Sequence, residues 1–165
     1  MKQLTAQVGT SIPARMPTSG RLMVGRRDDD RHAEADFALA RGLAGYVRAV
    51  ACMLHVGREA TDYEVSDTAT AYVALSPRSS VHPGRDLMLV WTERQGWTLA
   101  VETAPVEPPV VLAHLGATLV PEPEEVARFV DSVLAGHSWI GCAPPRLVGR
   151  QDVGSLLARY VRTRS

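Results

Sequence analysis

The sequence predicts an α+β domain in two layers, an antiparallel β-sheet of three to four strands built on a central hairpin, with amphipathic helices packed on it. The first observation is the hairpin itself. Asp86–Thr92 (DLMLVWT) and Trp97–Thr103 (WTLAVET) are rich in β-branched and aromatic residues, and only Glu93-Arg94-Gln95-Gly96 separates them. A four-residue connection ending in glycine suits a hairpin whose last loop residue is left-handed. The second is a helical stripe, Leu39, Leu43, Val47, Val50 and Leu54, at spacings of three and four. The third is order: no helix separates successive strand segments, as a βαβ crossover would require.

Along the chain, residues 1–31 mix Pro13, Pro17, Gly9, Gly20 and Gly25 without periodicity and read as a mobile basic N-terminal tail. The run Arg26-Arg27-Asp28-Asp29-Asp30-Arg31 reads as a solvated linker or a docking element. Residues 32–136 form the α+β domain. Its first helix spans Ala33 to about His55, with Asp36 as an N-cap or first-turn acid and with Phe37, Tyr46 and Met53 widening the apolar stripe. Arg41 and Arg48 lie on the other side, near Cys52. Gly42 and Gly45 weaken the helix by up to ~1 kcal/mol each relative to alanine, or let another backbone come close.

An acidic loop is expected from Gly57 to Asp67, then a strand at Ala69–Leu75 (ATAYVAL), stopped by Ser76-Pro77. Both arms of the hairpin that follows are apolar on nearly every residue, so they belong at the centre of the sheet. After the proline-rich break TAPVEPP, Val110–Leu115 (VVLAHL) reads as a further short strand. Pro121-Glu122-Pro123-Glu124-Glu125 is a helix start, and Val126, Phe129, Val130, Val133 and Leu134 give that helix one apolar face before Gly136. Residues 137–165 read as a loop and a C-terminal basic amphipathic helix, Asp152–Thr163, with Arg159, Arg162 and Arg164 at its end.

Composition narrows the function classes. Apolar residues make up 45% of the 165 and charged residues 22%, enough apolar material for one buried core and too much for a disordered chain. With only Cys52 and Cys142 present, and Cys52 placed in an apolar helical pattern, a disulfide framework is not expected and the expected compartment is a reducing cytoplasm. No apolar run suits a signal peptide or a membrane span, so no membrane association is expected. Net charge is zero but uneven. Residues 1–32 carry six basic and three acidic groups, residues 33–136 seven and fourteen, and residues 137–165 five and one. Basic ends flank an acidic middle.

The helix ALARGLAGYVRAVA, the segment ATAYVAL, the hairpin RDLMLVWTERQGWTLAVE and the stretch VLAHLGATLVPEPEEVARFVDSVLAG together resemble an actinobacterial family of small proteins of unknown function, over roughly residues 35–136. An arginine bias agrees with such an origin, since 18 basic residues include a single lysine, Lys2. The resemblance implies no activity, cofactor or catalytic residue.

Motifs for phosphate cradles, dinucleotide binding, nucleophile elbows and zinc-protease helices are absent from the sequence, and no catalytic or cofactor-binding residue is assigned. Cys52 and His55 on the first helix, with His137 and Cys142 in the late loop, offer two thiols and two imidazoles to one tetrahedral metal. The competing reading is a packed, inert Cys52 thiol. Trp91 and Trp97 flank the hairpin loop and Tyr72 lies on the neighbouring segment, which marks a partner or ligand surface or else core packing. Glu93 and Glu102 have no acid/base partner in the sequence. Basic tails provide for nucleic-acid contacts through phosphates, opposed by the acidic middle. The leading expectation is a non-enzymatic protein-binding or regulatory module, holding a protein partner or a second copy of itself on a sheet face or an exposed helix. The alternatives are a metal protein or enzyme at the Cys/His set, and a DNA-associated protein acting through its tails.

Overall fold

Five segments pair in chain order into one antiparallel sheet: β1 (Thr61–Val65), β2 (Ala69–Arg78), β3 (Asp86–Thr92), β4 (Gly96–Val101) and β5 (Val110–His114). Three helices complete the chain, α1 (Leu22–Met53), α2 (Pro123–Leu134) and α3 (Arg150–Leu157), with 3₁₀ turns at Arg58–Ala60 and Ala158–Tyr160. The computed structural model describes residues 22–78, 83–104, 106–137, 139 and 148–161, the side chains of 22–28 and 77–78 aside.

The register places Ala71, Val73 and Leu75 of β2 against Trp91, Leu89 and Leu87 of β3, and these against Trp97, Leu99 and Val101 of β4. All nine side chains are buried, and with Leu39, Leu43, Tyr46, Val47 and Val50 of α1, Val126, Phe129 and Val130 of α2, and Val153 and Leu157 of α3 they make one core. Each fully buried apolar side chain contributes on the order of 1.5–3 kcal/mol relative to exposure. The helices therefore close one face of the sheet. The hairpin is present, but its loop is Glu93-Arg94-Gln95: Gly96, left-handed at a φ of +69°, already pairs with Thr92 as the first residue of β4, which ends at Val101 and not at Thr103.

Three polar groups enter this core and all are satisfied. The Tyr46 hydroxyl donates to the Pro121 carbonyl at 2.7 Å and accepts the Trp97 indole N–H at 3.0 Å, while the Trp91 indole donates to the Leu119 carbonyl at 2.6 Å. These bonds pin the chain between β5 and α2 onto the sheet. Burial pushes the Tyr46 phenol well above its ordinary range. Gly45 has a second structural use: a Cβ there would collide with the Tyr160 carbonyl, and one at Gly42 would meet Leu157 Cβ at 2.8 Å. The close approach expected at these glycines is how α3 and its 3₁₀ extension lie against α1.

Several expectations need correction. The sheet has five strands, not three to four, because the stretch expected as an acidic loop contains β1. In Thr61–Val65 the acids alternate with Thr, Tyr and Val, and an edge strand exposed on one face needs no more apolar content. The first helix begins at Leu22, eleven residues before the expected start, so Asp36 is interior and not a cap. Residues 29–38 of α1 are mostly exposed, which removes the apolar periodicity that would have revealed them. Phe37 is 66% exposed and Met53 is also exposed, so neither widens the buried stripe.

Candidate functional site

The sheet has two faces and two edges; among the described residues the helices cover one face, although Met88, Thr98 and Ala100 on the other are buried as well. Because β-strand side chains alternate, the face opposite the helices carries Tyr72 and Ala74 of β2, Met88 and Val90 of β3, Thr98 and Ala100 of β4, and Val111 and His114 of β5. Ala74, Met88, Ala100 and Val111 are successive cross-strand neighbours, an apolar row reaching the β5 edge. Glu102 accepts a hydrogen bond from Tyr72, whose phenol is pushed up by partial burial first and by the Glu102 carboxylate second. Thr98 Oγ1 and His114 Nδ1 lie 2.9 Å apart.

At β5 the register slips between Leu99 opposite Ala113 and Ala100 opposite Val111, which leaves Leu112 as an extra residue in the strand. Leu112 and Ala113 turn toward the core, while Val110 and Val111 remain 40% and 48% exposed. Val106, in the approach to the strand, is 93% exposed. No charged residue occurs in Val110–His114. The outer side of β5 thus offers backbone N–H and C=O groups beside three exposed valines.

The residues singled out in the sequence do not gather at this edge. Trp91 and Trp97 are fully buried and hydrogen-bonded on the helix side, so they form no partner surface. Tyr72 is half-buried on the open face. Cys52 is exposed and not packed as expected, since it lies four residues beyond Arg48 and continues that polar side of α1. His55 and His137 are exposed as well, and Cys142 lies outside the described residues. Among the described residues no three His, Cys, Asp or Glu side chains come together around a metal-sized space. Glu93 is half-buried with one carboxylate oxygen shielded and without a hydrogen-bond partner, and Glu102 is exposed. The N-terminal 21 residues and Arg162 and Arg164 also lie outside the described residues. The signal missed in the sequence was Val106 with Val110-Val111: apolar residues around a double proline, beside no charge but Glu107.

A family model matches residues 46–132, more than half of the 165-residue chain. The chain belongs to DUF6292, a family of unknown function. The DUF6292 match begins at Tyr46, in the last quarter of α1, and ends within α2. It spans the whole sheet, including the Tyr46, Trp91 and Trp97 hydrogen bonds and the open face, and leaves out the first three quarters of α1 and all of α3. No curated protein and no solved structure matches the chain. No helix among the described residues is long and apolar enough to cross a membrane.

Proposed function

We propose that this chain is a non-enzymatic binding module of a bacterial cytoplasm that receives a strand of a protein partner on the outer edge of β5. The observation that carries the reading is the uncharged, valine-bearing β5 edge, continuous with the apolar row Ala74, Met88, Ala100 and Val111. An added strand would pair with the outward backbone groups of β5, which no strand among the described residues meets, and its alternate side chains would meet Val111 on the open face. The backbone supplies affinity in this mode, and Val111 with its exposed neighbour Val110 supplies selectivity. An actinobacterial source agrees with the arginine bias.

The test is affinity capture from the native host with the wild-type chain and with Val111→Lys. A partner recovered by the wild type should be lost with the variant, because a lysine on the edge places a charge where the incoming strand must pack. Retention of the same partner by Val111→Lys at an unchanged thermal midpoint would contradict the reading.

A further inference from the structure

On the side of α1 facing away from the sheet core lies a groove of about 290 Å³, lined by Phe37, Arg41, Arg48, Tyr63 and Tyr160. Its make-up is unusual for a domain whose residues 33–136 carry twice as many acids as bases. Three aromatic rings border it, Ala40, Ala44 and Gly45 keep its floor low, and among the described residues that line it the charges are Arg41 and Arg48. Gly45 is required there for a different reason, the close passage of the Tyr160 backbone, so the low floor follows from the packing of the C-terminal turn.

The arginines decide what the groove can hold. Elsewhere in the fold Arg85 pairs with Glu107, Arg150 with Asp36 at 3.1 Å and Arg159 with Glu122 at 2.7 Å. Arg41 and Arg48 meet no carboxylate among the described residues. The Arg41 guanidinium lies 6.0 Å from the centre of the Phe37 ring, and Arg48 is half-buried beside the groove floor. A partly desolvated guanidinium keeps its charge and gains most from an anion that accepts its forked N–H donors. Tyr63 is 45% exposed, which leaves its ring available to a flat apolar body.

We infer that this groove is a binding site for a small aromatic carboxylate, its carboxylate on Arg48 and Arg41 and its ring against Tyr63 and Phe37, with Tyr160, itself packed on Tyr46 and Arg159, closing the end. The volume is at the low end for a small-molecule site and admits a single-ring acid, not a dinucleotide. The site is separate from the β5 edge, so its failure would leave the strand-docking reading untouched.

The test is an amide-NMR titration of the full chain with phenylacetate, with phenylacetamide as a neutral probe of the same shape. Saturable shifts at Ala44, Arg48, Tyr63 and Tyr160 are expected with phenylacetate, and at least about tenfold weaker binding with phenylacetamide. Arg48→Gln should weaken phenylacetate binding at least about tenfold, whereas Arg94→Gln, on the hairpin loop, should leave it unchanged. Arg48→Lys, which keeps the charge without the fork, should fall between. Unaltered spectra outside the groove would show that the variants fold. The inference is overturned by any of three results: no saturable shift in the groove, equal binding of the neutral amide, or wild-type affinity in Arg48→Gln.

Discussion

The two edges of the sheet expose the same backbone groups and differ in everything placed around them. At β1 the open-face positions are Asp62 and Glu64, both exposed, and α1 packs along the strand. Arg150 then closes the end of β1, donating to the carbonyls of Ser66 at 2.6 Å and Asp67 at 3.2 Å while its Nε faces Asp36. At β5 there is no Asp, Glu, Lys or Arg within the strand, and its open-face positions hold Val111 and His114 where β1 has acids. Charged side chains on an edge deter the addition of a further strand, and their absence permits it. The difference teaches that, among the described residues, this fold sets acids and an arginine along one edge and none along the other.

The largest effect is expected where the protected edge is anchored. Leu43→Ala removes a fully buried α1 side chain and should lower stability by ~2–5 kcal/mol in urea denaturation. A loss below about 0.5 kcal/mol would mean that α1 does not clamp the sheet. Next is Tyr46→Phe, which leaves the Trp97 N–H and the Pro121 carbonyl without their buried partner, at a cost of about 1–3 kcal/mol.

The same residue gives a pH signature. The folded-state pKa of Tyr46 is raised above 10.0 by burial, so its contribution is complete below pH 10.0 and declines as pH rises further and the unfolded chain ionises first. Tyr46→Phe should flatten that alkaline decline, as measured by denaturant midpoints across the range. Smaller in energy, but sharper for the comparison, is Asp62→Val with Glu64→Val. Removing both acids should change stability by less than about 1 kcal/mol while making β1 resemble β5, so light scattering should report new self-association. Unchanged monodispersity would show that the acids are not what protects that edge.

The covered face was largely legible from sequence. The spacing of Leu39, Leu43, Val47 and Val50, the hairpin with Gly96, and the Pro123 start of α2 all rest on local periodicity or local backbone demands, and each is present in the fold. The close approach at Gly42 and Gly45 was also foreseeable from two glycines in one helix. What escaped depended on distant partners. Thr61–Val65 reads as acidic loop until it pairs with β2, and the polar first turns of α1 have no buried face to mark them. Trp91 and Trp97 gave no hint in sequence of the Leu119 carbonyl and Tyr46 hydroxyl that hold them inside. Val110–His114 was legible as a strand. Its position as an edge was not, because strand order is a property of the whole sheet.

The claim that β5 is the docking edge is tested most directly by placing a photo-crosslinking amino acid at position 111 in one chain and at position 64 in another, and irradiating both in the native host. A discrete adduct with a partner protein is expected from position 111 and none from position 64. An adduct of equal yield from both positions, or from position 64 alone, would contradict the account.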